Sequence, residues 1–200
     1  RNGNVRMQAE SGNLVLGVVN AGTGSVSLAA SGSILDAHGD DAAAVRTVNV
    51  IAGALRLQAG GAVGQEAATL EVQAATLAFA AQGGSYVLAS GNTTLGQVAG
   101  VAVNRVGADG TAVANAGGTA LAGVQNGSGN LVLSGANLVI DQALVATGGN
   151  LRIEASGTLA VNAALSAQDG SISLLAVGNI TQSAAATLST AVGTIDVASS

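Results

Sequence analysis

Residues 149–183 read GNLRIEASGTLAVNAALSAQDGSISLLAVGNITQS, and this stretch decides the fold. A glycine, a small or polar residue and an apolar–any–apolar triplet form a motif that returns within it. Gly149 and Gly170 begin two copies 21 residues apart. In each copy, apolar residues alternate with polar or small ones, as in Leu-Arg-Ile at 151–153. This period of two predicts short, half-buried β-strands.

The motif recurs along the chain and implies a repeating unit of about 20 residues. Further copies lie at 3–7, 12–16, 24–28, 53–57, 129–133 and 193–197, and weaker ones at 68–72, 75–79 and 84–88. A third, weaker strand follows in each unit, as at 163–167 and 185–189. Hairpin turns are missing between these strands, so we expect equivalent strands to pair in parallel from coil to coil.

The predicted fold is therefore all-β: a parallel β-helix, or β-solenoid, with about ten coils of roughly 20 residues. Residues 1–200 are expected to form one β-helix segment, an interior fragment of a larger protein. Neither end has an obvious polar cap, which predicts exposed pairing edges and aggregation of the isolated segment.

The segment 97–128 is the least regular part of the chain and leaves two alternatives open. The equal spacing of Gly91, Gly110 and Gly129 favours two degenerate coils. The other alternative is a loop outside the helix, which would be the best candidate for partner contact, because loops on rigid scaffolds carry function.

Composition excludes several classes of protein. The chain has no Cys, and therefore no disulfide scaffold or thiolate metal site. A net charge of −5 gives no basic surface for nucleic acid. A hydrophobic content of 48% argues against disorder. The apolar runs are too short for a membrane-spanning helix.

The stretch 149–183, and GNITQ at 178–182 in particular, resembles the repeat region of filamentous-haemagglutinin-type large exoproteins. These are adhesins of Gram-negative two-partner secretion systems. Related contact-dependent inhibition toxins and autotransporter passengers have similar coils. The resemblance covers most of the chain, with poorer matches at 36–50 and 97–128. It implies a right-handed β-helix, export through an outer-membrane transporter, a secreted or cell-surface location and a role in virulence.

The expected function is a structural and adhesive segment of a secreted surface exoprotein, a rigid rod supporting cell adhesion. Its expected partner is a receptor or glycan on a host or bacterial surface. One alternative is a passive spacer in a contact-dependent inhibition toxin or autotransporter. A polysaccharide-acting enzyme is disfavoured, because the acids Asp141, Glu154, Asp169 and Asp196 are scattered singly, Glu154 and Asp196 outward on different coils. No catalytic residue, cofactor or metal ligand is assigned.

The densest polar cluster is the most specific candidate for a ligand site. Asp36, His38, Asp40 and Asp41 lie within six residues and offer oxygen ligands for a hard cation such as Ca²⁺. Their spacing matches no EF-hand loop, and the nonapeptide calcium-binding repeat is missing, so an exposed turn between coils is the favoured interpretation. Asp109, between Gly107 and Gly110, is likewise interpreted as a plain turn.

The repeat register also predicts where individual side chains point. Arg6, Arg56 and Arg152 occupy the same slot between two inward residues and are expected outside. Phe79 and Tyr86 fall on inward slots and are expected in the core or as caps. Asparagines that follow glycines at strand starts are expected to bond local backbone; they are Asn4, Asn13, Asn92, Asn130, Asn150 and Asn179.

Overall fold

The computed structural model describes residues 2–39 and 46–200, in which every regular element is a β-strand and none is a helix. The first strands are β1 Val5–Ala9, β2 Leu14–Leu16, β3 Val19–Asn20, β4 Ser25–Ala30, β5 Ile34–Asp36, β6 Val50–Ala59, β7 Leu70–Ala81 and β8 Ser85–Leu95. The middle strands are β9 Gln97–Val98, β10 Val103–Val106, β11 Ala112–Asn115, β12 Leu121–Ala122, β13 Val124–Asn126, β14 Leu131–Ile140 and β15 Leu144–Ala146. The last are β16 Leu151–Ala155, β17 Leu159–Val161, β18 Leu165–Ala167, β19 Ile172–Ala176, β20 Ile180–Gln182, β21 Leu188–Thr190 and β22 Ile195–Ser199.

Most of these strands join one sheet of sixteen strands, counted over the described residues, and pair in parallel. Parallel partners are about one repeat apart in sequence: β16 pairs with β19, and β15 with β18. The prediction of an all-β, mainly parallel, solenoid-like fold is confirmed. Antiparallel pairing of named strands is confined, in the described part of the chain, to β9 with β12 and β10 with β11.

One ladder of paired positions, called stack A, has eight levels within residues 2–39 and 46–200, and each level is called a rung. Its inward residues are Met7, Leu28, Leu57, Phe79, Val124, Leu144, Leu165 and Leu188. The predicted count of about ten coils is not confirmed. Residues 97–122 add length to the chain without adding a rung to stack A.

A second ladder, called stack B, lines the next side of the same interior. Its paired positions are Leu14, Ile34, Val63, Ser85, Leu131, Leu151, Ile172 and Ile195. Side chains of both stacks meet in a continuous apolar interior; Leu131, Leu144, Leu151 and Leu165 are all fully buried. Burial of these rows is the main favourable term holding the rungs together.

Four of the six asparagines at strand starts bond the backbone of the next rung, so the prediction that they bond local backbone is wrong for Asn4, Asn13, Asn130 and Asn150. Asn130 Oδ1 accepts a hydrogen bond from Asn150 N at 3.1 Å, and Asn150 Oδ1 accepts one from Ser171 N at 2.9 Å. The same bond, about one repeat along, joins Asn4 to Ser25 and Asn13 to Ser33. At these turns, the asparagine side-chain oxygen accepts the hydrogen bond of a backbone N–H group on the next rung. The asparagines thus continue the bonding between rungs beyond the ends of the strands.

The two aromatic residues lie in different environments. Phe79 is inward on stack A and fully buried, as predicted. Tyr86 is outward, because Ser85 pairs with Leu131 and the inward positions of β8 are therefore Ser85 and Val87. The register begins one residue earlier than GSYVL implies, and this shift moves every side chain to the opposite face. The Ser85 hydroxyl stays satisfied inside by bonding Asn126 Oδ1 at 2.8 Å.

The last strand is open on its outer side. All five residues of β22 are exposed, and Ile195 and Val197 keep 41% and 48% of their surface accessible although they continue inward rows. β22 pairs with β19 alone among the described strands. Its other edge carries unpaired backbone groups, which are a template for further strand pairing.

Candidate functional site

Residues 97–122 leave the stacked strands as a side branch, called the excursion. Gly96 O accepts a hydrogen bond from Gly123 N at 2.9 Å, which closes its base. Beyond the base, β9 pairs with β12 and β10 with β11, both antiparallel. Of the two alternatives for 97–128, the favoured degenerate coils are wrong for this segment. The even glycine spacing is not a repeat: Gly110 closes the β10–β11 turn.

The excursion folds back over the outward side of the first rungs. Asn4 Nδ2 donates to Ala102 O at 3.1 Å. Arg6 Nη1 donates to Asn115 Oδ1 at 2.9 Å and to Ala116 O at 2.8 Å. β9 also contacts β6 and β7. The excursion leaves the stacked strands after the fourth rung, and these hydrogen bonds attach it to the first rung.

Beneath the excursion lies one outward row of stack A, called the arginine row: Arg6, Ser27, Arg56 and Ala78. Arg6 and Arg56 are two rungs apart in this row, whereas Arg152 lies on stack B and pairs with Glu154 at 2.8 Å. The prediction that all three arginines occupy the same slot of the repeat is therefore wrong for Arg152. All three side chains leave the strands outward, as predicted. Arg56 is nevertheless only 6% exposed, because the excursion covers it.

The Arg56 guanidinium is poorly compensated for a buried cation. Its Nη2 donates to Gln58 Oε1 at 2.8 Å, and its Nε is buried without a partner. Burial and the nearby charge of Arg6 lower the pKa of Arg56. Neither arginine forms an ion pair with a carboxylate of the described residues.

An open groove runs beside the arginine row, with a cavity volume of about 490 Å³. Gln8, Gln58 and Gln82 line it together with Glu10, and its floor consists of small residues. Gln8 and Gln58 are two residues beyond Arg6 and Arg56 and accept hydrogen bonds from them at 3.3 and 2.8 Å. The amides therefore connect the groove to both guanidinium groups.

Replacing Arg56 by methionine is expected to raise the free energy of unfolding by about 1–2 kcal/mol. Methionine keeps much of the volume and removes a buried, unpaired charge. Urea denaturation followed by circular dichroism measures the change. The control is Arg152→Met, which removes an exposed pair and should change stability by less than about 0.5 kcal/mol. A loss of stability in Arg56→Met exceeding that of the control would contradict the assignment.

The predicted cation cluster is only partly within the described residues. Asp40 and Asp41 lie outside them. Asp36 has a fully buried side chain, and its Oδ1 accepts from His38 N at 3.0 Å and lies 3.3 Å from His38 Nδ1. Its Oδ2 is buried without a partner. In the described part of the chain, no group of three or more His, Cys, Asp or Glu is placed to hold a metal ion.

Asn49 and Glu71 lie next to Asp36 and form with it a cluster of buried polar side chains, called the polar corner. Sequence reasoning missed both residues. Asn49 is fully buried; its Nδ2 donates to Asp36 Oδ1 and to Leu16 O, and its Oδ1 accepts from Glu71 N at 2.9 Å. Glu71 is 4% exposed and pairs with Arg46 at 3.0 Å. The available signal was an asparagine directly before the apolar run that begins β6. The polar corner ties three successive levels of the ladder by polar contacts: that of Leu16, that of Asp36 and Asn49, and that of Glu71.

Stability is expected to fall in acid through Asp36. Burial raises the pKa of Asp36, but hydrogen bonds from His38, Asn49 and Gly39 outweigh it and leave the pKa below its ordinary value of 3.8. A carboxyl group whose pKa is lower in the folded than in the unfolded protein stabilises the fold at pH values above its unfolded pKa. That stabilisation is lost as the pH falls through the folded pKa. Urea midpoints from pH 6 down to pH 2.5 should therefore drop below about pH 4, and drop less in Asp36→Asn. An equal drop in both proteins would contradict this role.

The remaining acidic candidates do not converge. Asp109 Oδ1 accepts from Thr111 N at 3.0 Å and from its hydroxyl at 2.8 Å, bonds that lower the pKa of Asp109 and define a turn. Asp141 accepts from Asn162 at 2.8 Å. Glu154 and Asp196 are outward and exposed on β16 and β22, as predicted, and Asp169 is exposed in the turn after β18.

Comparison of the chain with protein-family models, with curated proteins and with solved structures found no match. Across residues 2–39 and 46–200, the structure contains no helix of the length and apolarity needed to cross a membrane.

Proposed function

We propose that this chain is a structural and adhesive segment of a secreted bacterial surface exoprotein, a rod that supports cell adhesion. In this proposal the parallel ladders form a right-handed β-helix with one coil per rung. Right-handed crossovers are the strong preference for parallel strands of one sheet. The expected location is the surface or surroundings of a Gram-negative bacterium, reached through an outer-membrane transporter.

The observation that carries the proposal is the arrangement of stacks A and B around one continuous apolar interior. Each rung bonds its neighbours through backbone hydrogen bonds and buried leucines, as at Leu144 and Leu165. Such stacking gives stiffness along one axis and leaves the outward side chains free for contact. The excursion supplies the kind of surface feature that mediates contact on rigid scaffolds.

The second candidate is a passive spacer in a toxin-delivery or autotransporter protein. It is favoured by the outward positions of the last stack A rungs, which are Val145, Ser166 and Ser189. These short side chains present few groups that bind a partner strongly. An enzyme is disfavoured in this proposal, since the acids lie singly on separate elements.

Adhesion of coated beads tests the choice between the two. Beads carrying the 200-residue chain are compared with beads carrying a variant in which a short Gly-Ser link replaces 97–122, a deletion that the contact of Gly96 with Gly123 permits. Adhesion to cultured epithelial cells or to bacteria, lost in the deletion variant, supports an adhesive role. Absence of adhesion by both chains supports the spacer.

A further inference from the structure

We propose that the groove beside the arginine row binds a neutral, extended polysaccharide whose sugars are β-1,4-linked. This inference rests on the proposed adhesive function and names the class of ligand. The residues assigned to contact the sugar are Gln8, Glu10, Gln58 and Gln82, which all line the groove and are all exposed. Arg56 is assigned as a positioning residue, which holds Gln58 from behind and does not touch the ligand.

The first argument is the direction in which two amides point. Arg6 donates to Gln8 Oε1 at 3.3 Å. Arg56 donates to Gln58 Oε1 at 2.8 Å. Each amide oxygen is thus occupied by a guanidinium group, and each amide NH₂ group is left as a donor without an acceptor in the part of the chain that the structure describes. A buried guanidinium has few alternative positions, so Arg56 fixes the Gln58 amide more firmly than an exposed side chain could.

The second argument is the mixture of donors and acceptors around the groove. Gln8 and Gln58 offer N–H donors, and Glu10 offers carboxylate acceptors. Gln82 offers an amide that can do both. The charge of Glu10 opposes an anionic ligand, and the two outward N–H groups oppose a cationic one. A sugar hydroxyl both donates and accepts, so a neutral ligand rich in hydroxyl groups matches this lining.

The third argument is the course and period of the groove. Its lining comes from four successive rungs, so the groove runs along the stacking direction. Gln8 and Gln58 lie in one row of paired positions, two rungs and about 10 Å apart. Ala29 and Ala80 take the alternate positions of that row. In an extended β-1,4-linked chain one sugar is about as long as one rung, and successive sugars are turned over, so each face recurs at every second rung.

An extended peptide fits the same groove less well. Its side chains on one face recur about every 7 Å, which does not match the spacing of Gln8 and Gln58. The floor includes Ala30 and Ala59 and offers no apolar recess for a peptide side chain. A shallow floor of small residues suits the flat face of an extended sugar chain.

Isothermal titration calorimetry of the 200-residue chain with cellopentaose tests the proposal. Gln8→Ala is expected to weaken binding about 3- to 10-fold, because one hydrogen bond to the sugar is lost. Arg6 keeps its two bonds to the excursion in this variant. The matched control is Gln125→Ala, which should leave binding unchanged. Gln125 continues the same row on the fifth rung and is exposed, but it does not line the groove. Equal melting temperatures of the two variants show that both are folded.

Arg56→Met tests the positioning role separately. This variant is expected to be more stable than the parent chain, yet to bind cellopentaose about 3-fold more weakly, because the released Gln58 amide must be ordered on binding. A purely structural role for Arg56 predicts no change in binding. Unchanged binding by Arg56→Met would therefore overturn its assignment as a positioning residue.

The remaining outcomes decide the site and its ligand. Equal binding by the parent, Gln8→Ala and Gln125→Ala, or no binding by the parent, overturns the site. Maltopentaose has the same sugars in a curved, α-1,4-linked chain, so binding as tight as that of cellopentaose overturns the extended ligand. Tighter binding of poly-glutamate overturns the neutral one. Bead adhesion by a chain that does not bind cellopentaose contradicts this inference alone. Binding that depends on Gln8, without bead adhesion, contradicts the adhesive function and leaves the site standing.

Discussion

Replacing Gly149 by alanine is expected to lower the free energy of unfolding by about 4 kcal/mol. Gly149 has a φ of 132°, a region that residues with a Cβ rarely adopt. A Cβ there would also overlap the backbone carbonyl of Gly129 on the preceding rung. The next rung repeats this close approach, because a Cβ on Gly170 would overlap the carbonyl of Gly149. The substitution thus combines backbone strain with a steric clash that separates paired rungs.

Urea denaturation of the purified chain measures this loss. Gly110→Ala is the matched control, because Gly110 has a φ of 81° but open space around its Cβ position. It should lose only the strain of the left-handed conformation, about 1–2 kcal/mol. If both variants lost the same free energy of unfolding, the close approach of Gly149 to the backbone of Gly129 would be contradicted.

Truncating Phe79 to alanine is expected to cost about 3–5 kcal/mol. Phe79 is the largest of the fully buried side chains and stands on stack A between Leu57 and Val124. The narrow interior is closed by paired rungs on both sides, so the cavity left by the ring has little freedom to collapse. Thermal and urea unfolding of Phe79→Ala measure the effect.

Tyr86→Ala is the companion variant for this test. Tyr86 is the other aromatic residue, but it points outward and is half-buried. Its truncation should cost about 1 kcal/mol or less. A larger loss for Tyr86 than for Phe79 would reverse the assignment of inward and outward positions on these strands.

The strands at 151–155 and 172–176 were predictable because apolar residues alternate strictly there and glycines mark each start. The register of β8 was not, because the inward position carries Ser85 and the outward one Tyr86, the reverse of the usual pattern. The register of β8 is set by its pairing with β14 and by the hydrogen bond from Ser85 to Asn126. Hydrophobic pattern alone fails where a buried polar residue is satisfied by a partner distant in sequence.

The candidate site shows the same limit. Sequence placed Arg6 and Arg56 on the outside, and the strands bear this out. Burial of Arg56 depends on the excursion, which returns over it from a position after the fourth rung. No local pattern in 97–122 encodes that return, since it rests on bonds such as Arg6 to Asn115, 109 residues apart. Contacts of this range follow from tertiary packing.

The tie between the excursion and Arg6 has a consequence for how the rod unfolds. In a linear repeat protein, each unit is coupled only to its neighbours, and unfolding proceeds inward from a fraying end. The excursion adds a coupling that skips rungs, from after the fourth back to the first. We expect β1 to β8 to open together as one cooperative block, while β16 to β22 fray separately. Amide hydrogen exchange should therefore show uniform slow exchange in the first group and graded, faster exchange towards β22.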